Sequence, residues 1–201
     1  MAYCGIPMAR KTTPIDASQG LPETFVLFVG RLAMTTGSTT KNQKNPEFAF
    51  ELMNSVLERN QDVHFVVCGK KDEASEAVLM NLVDEDNRTR VHLLGIRSDV
   101  RSIMKRAKML ILPSLAEGLG LVAVEAQFEG CRVLASQHVP DEANVSDGGF
   151  EQLPLDSSLW SNAIESCLAG ALPSRFDLLE SPHMSLEVST RRLKTLYLSL
   201  T

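Results

Sequence analysis

Short apolar runs alternate with amphipathic segments along most of the chain. Continuous apolar runs predict buried strands at 25–29, 63–67, 91–94, 109–112 and 132–136. Helical spacing of apolar residues predicts helices at 46–57, 74–86, 98–107, 122–128, 157–169 and 186–200. Pro46 suits a first helical position with Asn45 as its cap, while Asp99 can cap the third helix. A short edge strand is predicted at 152–155, because Pro154 would not suit a central strand.

This alternation of strands and helices is typical of a parallel sheet covered on both faces. The predicted fold class is therefore α/β, with a Rossmann-like open parallel sheet. We divide the chain into a linker or hinge segment at 1–23, the α/β domain at 24–184 and a C-terminal helix at 185–201. Such sheets bind ligands beyond the carboxyl ends of their strands. That rule points to the loops that follow Gly30, Gly69, Gly95, Pro113 and Ser136.

Composition narrows the class of protein. The 201 residues suit one domain, and 44% hydrophobic with 22% charged residues can form a core. A net charge of -5 gives no support for nucleic-acid binding. The four cysteines lie far apart, which favours neither a metal site nor disulfides and suggests a reducing compartment. No apolar run approaches the roughly 18 residues of a membrane span, so we expect a cytoplasmic protein, with peripheral membrane contact left open.

A glycine-rich stretch between two glutamates, Glu117 to Glu125, is the most informative local feature. It satisfies the pattern G-x-G-x-x-A, which suggests a dinucleotide site, and two acids follow about 20 residues on. However, Gly118 lies five residues beyond Pro113 and in the fourth strand–helix unit. A dinucleotide fingerprint should follow the first strand almost directly. The spacing therefore argues against a dinucleotide site.

The same stretch can bind an anion. If a helix begins near Gly120, the backbone N–H groups of 118–122 are free donors at its positive end. Carboxylates on either side, Glu117 and Glu125, could then accept hydrogen bonds from sugar hydroxyls. Arg31 and Lys44 are expected at the same edge of the sheet, where they could neutralise a diphosphate. The alternative is that these four residues are ordinary solvated charges of a loop and a helix, with Glu117 interacting favourably with the helix dipole.

Several motifs together resemble one family. The segment E-G-L-G-L-V-A-V-E-A at 117–126 resembles the E-x7-E motif of the GT4 glycosyltransferases. The segments V-G-R at 29–31 and K-N at 44–45 resemble a second element of that family, and 94–100, 112–114 and 193–197 match in order. The segment at 3–7 resembles the hinge that precedes the donor domain. The chain is most similar to the exopolysaccharide or capsule type.

The resemblance implies a fold, an activity and a site. Family members have the GT-B fold, in which two Rossmann-like domains flank the active-site cleft. They transfer a sugar from a nucleotide-diphosphate donor with retention, without an essential metal or other cofactor, and the second domain binds the donor. By motif position, the resemblance implies that Arg31 and Lys44 hold the diphosphate, that Glu117 contacts the donor sugar and that Glu125 contacts the ribose. It also implies that the base lies near Gly95 and Arg97. The phosphates would contact the backbone of Gly118, Leu119, Gly120, Leu121 and Val122, and the remaining site residues would be Gly30, Asn45 and Ser114.

The sequence also departs from the family pattern. It matches only the donor-binding half, and the family's cleft histidine has no counterpart, because His64 and His92 fall inside strand patterns. The loop between Arg31 and Lys44 is lengthened by 34–40. We therefore expect a donor-binding domain that is inactive without its acceptor-binding half, whose acceptor would be a growing polysaccharide or lipid-linked glycan. A subunit of a split enzyme and a non-catalytic nucleotide-binding module remain alternatives.

Overall fold

The strands form a single parallel sheet in the computed structural model, which describes residues 20–32, 42–170 and 176. The strands are β1 (Phe25–Val29), β2 (His64–Cys68), β3 (Val91–Gly95), β4 (Met109–Leu112), β5 (Arg132–Ser136) and β6 (Phe150–Leu153). Their order in the sheet is β3-β2-β1-β4-β5-β6. This is the order of the Rossmann fold, in which the chain reverses direction across the sheet between β1 and β4. The predicted α/β fold class is confirmed.

Helices connect the strands and cover both faces of the sheet. They are α1 (Pro46–Arg59), α2 (Glu73–Met80), α3 (Glu85–Arg88), α4 (Val100–Met104), α5 (Leu121–Phe128) and α6 (Ser157–Leu168). A short 3-10 turn, Asp141–Ala143, lies between β5 and β6. None of the described helices is both long and apolar enough to cross a bilayer.

Alternate residues of the central strands enter two separate cores. On β1, Val26 and Phe28 face one side, where they pack with α1 and α6. Phe25 and Leu27 face the other side, where they pack with α4 and α5. All four side chains are fully buried. A strand buried on both faces cannot alternate between apolar and polar residues, which is why the central strands are continuous apolar runs.

The structure corrects several local predictions. The helix predicted at 74–86 is interrupted, because α2 ends at Met80 and α3 begins at Glu85. The edge strand lies two residues earlier than predicted, so that Pro154 follows β6 instead of interrupting it. Asn45 and Asp99 do occupy N-cap positions, but neither side chain makes a capping hydrogen bond. The linker at 1–23 lies mostly outside the described residues, as do the lengthened loop segment at 34–40 and the C-terminal helix at 185–201.

Candidate functional site

The candidate site lies where the loops after β1 and β4 leave the sheet side by side. These strands are neighbours, with Leu27 opposite Leu110. Crevices of this kind, at the carboxyl ends of two strands whose connections run in opposite directions, are the usual ligand sites of open α/β sheets. The backbone is packed closely here. A Cβ on Gly69, after β2, would lie 1.7 Å from the carbonyl oxygen of Gly30, after β1, so only glycine fits at position 69.

The position of Lys44 in the loop after β1 is fixed by the side chain of Asn42, which the sequence analysis did not single out. Asn42 Oδ1 accepts a hydrogen bond from the Lys44 backbone N–H at 2.9 Å, and Asn42 Nδ2 donates to the Arg31 carbonyl at 2.8 Å. This amide therefore ties the two ends of the loop together, as an asparagine-centred turn does. The aliphatic stem of Lys44 covers Gly30, where an added Cβ would lie 3.1 Å from Lys44 Cγ.

The loop after β4 brings a carboxylate to that lysine. Lys44 Nζ lies 2.5 Å from Glu117 Oε1, and Ser114 Oγ donates to the same oxygen at 2.6 Å. The Glu117 side chain is only 12% exposed. The attraction between two charges grows as they are withdrawn from water, but the cost of desolvating them grows as well, so the main consequence is that neither charge is easily left without a partner. A backbone bond from Leu115 N–H to the Gln43 carbonyl, at 2.8 Å, joins the two loops directly.

The start of α5 offers unused backbone donors beside this ion pair. Gly120 occupies the N-cap with φ +73°, in the left-handed region that favours glycine. No described residue accepts a hydrogen bond from the backbone N–H groups of 118–122. Free N–H groups at a helix N-terminus attract anions. Glu125 lies in the second turn of α5, half-buried, and no described residue pairs with its carboxylate.

A buried glutamine fixes α5 to the segment that follows β5. The amide of Gln127 donates to the Ala143 carbonyl at 2.7 Å and accepts from the Val145 N–H at 2.9 Å. Ala143 and Val139, in the same segment, lie against Gly120, with Val139 Cγ1 3.0 Å from where a Cβ would be. Gln127 therefore helps to set the position of the N-terminus of α5. The sequence contains no signal that distinguishes Gln127 from a solvated helix residue.

Two further predicted cations, Arg31 and Arg97, form no ion pair with Glu117 within the described part of the chain. Arg31 is exposed, and no described residue accepts a hydrogen bond from its guanidinium. Arg97, predicted near the base, makes a two-bond pair with Asp99, with Nε to Oδ1 at 2.8 Å and Nη2 to Oδ2 at 2.6 Å. These hydrogen bonds hold the pKa of the Asp99 carboxyl below its usual value. This pairing is the physical reason why Asp99 does not cap α4.

Ionisable side chains elsewhere do not form a second catalytic constellation among the described residues. His64 Nδ1 and His92 Nε2 lie 2.9 Å apart on the adjacent strands β2 and β3. Both residues are near the amino ends of their strands, whereas the candidate site is at the carboxyl ends. Burial raises the pKa of the Cys68 and Cys131 thiols to about 12, so neither is a nucleophile at neutral pH. The three cysteines within the described part of the chain are unpaired, and no cluster of metal-ligating side chains occurs there. A cleft of about 590 Å³ beside Arg59 and Glu165 also lies at the opposite edge.

Comparison with known proteins gives this geometry a context. Residues 23–169 match the family model described as "Glycosyl transferases group 1". One curated relative is an Escherichia coli UDP-Gal:alpha-D-GlcNAc-diphosphoundecaprenol alpha-1,3-galactosyltransferase, 33% identical over 96 residues that cover 47% of this chain and 25% of that protein. The chain spans between 25% and 38% of the length of the curated relatives that it matches.

Solved structures show the same fold. Sucrose-phosphate synthase from Thermosynechococcus elongatus superposes with a TM-score of 0.73 at 21% identity, covering 99% of this chain and 52% of that one. Anabaena Alr3699/HepE, in complex with UDP and glucose, superposes with a TM-score of 0.69 at 18% identity, covering 98% and 56%. At these identities the likeness establishes the fold and not the ligand.

Proposed function

Because this chain belongs to the group 1 glycosyl transferases, we propose that it is the donor-binding half of a retaining glycosyltransferase that uses a nucleotide-diphosphate sugar. The observation that carries the proposal is the meeting of Lys44 and Glu117 across the β1–β4 crevice, beside backbone N–H groups of 118–122 for which no described residue is an acceptor. A cation, a carboxylate and an anion-binding helix end are the groups that a sugar diphosphate requires.

The diphosphate would lie against the N-terminus of α5. Its oxygens would accept hydrogen bonds from the backbone N–H groups of 118–122, which no described residue uses. Lys44 would turn from Glu117 to the diphosphate, and Arg31, exposed at the end of β1, would add a second positive charge. The negative charge of the ligand is thereby matched by side chains and the helix dipole, so we expect binding to persist in EDTA.

The carboxylates would bind the parts of the donor on either side of the diphosphate. Glu117, released by Lys44, could accept hydrogen bonds from hydroxyls of the donor sugar. Glu125 lies one helical turn into α5 and is half-buried, and its carboxylate, with which no described residue pairs, could bind the ribose hydroxyls. The exposed Ile96 and the neighbouring Arg97, after β3, would border the base.

The proposed chemistry is electrostatic stabilisation of a leaving group. The bond between the anomeric carbon and the phosphate oxygen breaks, and a bond from that carbon to an acceptor hydroxyl oxygen forms on the same face of the sugar. The acceptor proton leaves with the nucleoside diphosphate. Negative charge grows on the diphosphate as it departs, and Lys44 and Arg31 would stabilise that charge more in the transition state than in the ground state.

The relatives support this donor class and a reaction that needs a second half. One is named for transfer from UDP-Gal to a diphosphoundecaprenol glycan, and a structural neighbour is described with UDP and glucose. Because the chain spans at most 38% of the curated relatives, we propose that the acceptor-binding half comes from another part of the protein or from a separate chain. Without that half, positioning of the acceptor and exclusion of water fail, and transfer should be undetectable.

Isothermal titration calorimetry of the 201-residue chain with UDP, GDP and ADP tests the donor site. We expect one of the three to bind, and Lys44→Ala and Arg31→Ala each to weaken it by about tenfold or more, because each removes a charge-assisted hydrogen bond. Glu125→Gln should weaken the nucleoside diphosphate and leave pyrophosphate unchanged, since pyrophosphate lacks a ribose.

Controls come from the opposite edge of the sheet. Lys105→Ala and Arg59→Ala remove an exposed lysine and an arginine outside the crevice, and neither should change the affinity. The proposal fails if none of the three nucleotides binds at millimolar concentration while circular dichroism shows the chain to be folded. It also fails if the site variants and the controls have the same affinity as the unmodified chain.

A further inference from the structure

A buried serine at the end of β5 is connected to the candidate site through a second serine. Ser136 is fully buried at the last position of β5. Its hydroxyl donates to the Ser114 carbonyl at 2.5 Å, and the Ser114 hydroxyl donates in turn to Glu117 Oε1 at 2.6 Å. We propose that Ser136 is a positioning residue, which holds the Ser114 turn so that the Glu117 carboxylate is aimed at the donor sugar. This inference rests on the proposed function of Glu117.

The local sequence explains why a side chain is needed at this point. The β4–β5 ladder ends with Leu112 opposite Ala135. The residue that follows Leu112 is Pro113, which has no N–H with which to continue the ladder. The chain beyond β4 would therefore be free to move relative to β5. The Ser136 hydroxyl replaces the missing backbone bond and secures the first residue after the proline.

The second serine passes this restraint to the carboxylate. Ser114 is also fully buried, so water does not compete for its hydroxyl. Glu117 is held by both Ser114 and Lys44. If Lys44 turns to the diphosphate, the Ser114 hydroxyl is the remaining partner of Glu117 among the described residues. The aim of the carboxylate then depends on the position of Ser114, and through it on Ser136.

The two serines should therefore affect recognition of the sugar more than recognition of the diphosphate. Calorimetry would compare UDP-glucose with UDP, or GDP-mannose with GDP if the guanine nucleotide is the one that binds. Ser136→Ala should reduce the ratio of these two affinities by about fivefold, the effect of one hydrogen bond of roughly 1 kcal/mol. Affinity for the nucleoside diphosphate alone should stay within about twofold. Glu117→Gln should reduce the ratio, and adding Ser136→Ala to it should reduce the ratio no further, because both changes act on the same contact.

Ser146→Ala is the matched control. Ser146 is equally buried and donates at 2.6 Å to Gln127 Oε1, but it lies near the opposite end of α5. Its loss should lower the melting temperature without changing the affinity ratio. If Ser136→Ala proves too unstable to measure, Ser114→Ala removes the second bond of the relay and should give the same loss of ratio.

The outcomes separate this inference from the proposed function. A chain that binds none of the nucleotides overturns both. If Glu117→Gln lowers the affinity ratio while Ser136→Ala and Ser114→Ala leave it unchanged, the donor site stands and the positioning role is wrong. A melting temperature lowered equally by Ser136→Ala and Ser146→Ala, with no difference in the ratio, would make Ser136 purely structural.

Discussion

At the scale of single residues, the Lys44–Glu117 pair has two opposite effects on a ligand. It places both side chains at the crevice, since each is held by the other and the Glu117 oxygen also accepts from Ser114. It also compensates the charge of Lys44, so the proposed diphosphate would have to compete with a carboxylate that is 2.5 Å away. Binding would therefore exchange one ion pair for another, with a smaller net gain than for an unpaired lysine.

Removing the charge of Glu117 should accordingly strengthen the binding of the nucleoside diphosphate without its sugar. We expect Glu117→Gln to raise the affinity for whichever of UDP, GDP and ADP binds by about two- to tenfold, because Lys44 loses its competing partner and the diphosphate loses a nearby negative charge. Calorimetry measures this directly. Glu129→Gln is the control, since Glu129 pairs with Arg101 at the other end of α5 and lies outside the crevice. A lower affinity for that nucleotide in Glu117→Gln would contradict the exchange of ion pairs.

At the scale of elements, the crevice depends on how closely the ends of β1 and β2 approach. The Gly69 N–H donates to the Gly95 carbonyl at 2.8 Å, and the Gly30 N–H donates to the Cys68 carbonyl at 2.9 Å. These bonds link the ends of β1, β2 and β3. Because a Cβ at position 69 would meet the Gly30 carbonyl at 1.7 Å, the loop after β1 can occupy its place only beside a glycine.

Gly69→Ala should therefore destabilise the fold and displace the loop that carries Arg31. We expect the free energy of unfolding to fall by at least about 2 kcal/mol, since the atom in the way is backbone and φ at this residue is +154°. Urea denaturation followed by circular dichroism gives the value. Gly118→Ala is the control for stability, because a Cβ there has open space and φ is not in the left-handed region. Equal stability of the two variants would show that the β1–β2 contact can relax.

The same elements show what the sequence can predict. The strands at 25–29, 109–112 and 132–136 are confirmed residue for residue, because a strand buried on both faces leaves a continuous apolar run. The two N-cap positions are correct, but the capping hydrogen bonds predicted from them are absent. Residue type identifies a capping position but not the local conformation or a competing partner of the side chain. Asn45 takes a left-handed conformation with φ +52°, and the Asp99 carboxylate binds Arg97.

The candidate site was predictable only in part for a related reason. Motif resemblance and the rule for carboxyl ends identified Lys44, Ser114 and Glu117, which the structure brings together. They did not identify Asn42, Ser136 or Gln127, whose roles depend on contacts between distant segments. Ser136 and Ser114, for example, are 22 residues apart and meet only because β4 and β5 are neighbours. Short polar residues in loops and at strand ends are too common to indicate such contacts by themselves.

At the scale of the whole molecule, two titrating histidines lie at the far side of the sheet from the crevice. Their rings are 5.1 Å apart across β2 and β3, and the N–N contact of 2.9 Å requires one ring to donate and the other to accept. Burial and the nearby Arg90 guanidinium lower the pKa of His64 below its usual 6.5, against an opposing effect of Asp62. Burial and the His64 ring lower the pKa of His92. The folded chain thus favours the neutral rings.

Stability should therefore decrease in mildly acidic solution through this pair. At these two histidines the unfolded chain binds more protons than the folded chain below about pH 6.5, so their contribution to the free energy of unfolding falls as the pH falls from there through the lowered pKa values. Between about pH 7.5 and 5 we expect the melting temperature to drop by several degrees, and the double variant His64→Gln/His92→Gln to lose part of that dependence.

The control variant His138→Gln, at an exposed position after β5, should retain the pH dependence. Thermal unfolding across this range decides the matter, and an unchanged pH dependence in the double variant would exclude the pair as its source. Because the pair is remote from Lys44 and Glu117, the affinity for the nucleoside diphosphate at pH values where the chain stays folded should be the same in the double variant and the unmodified chain.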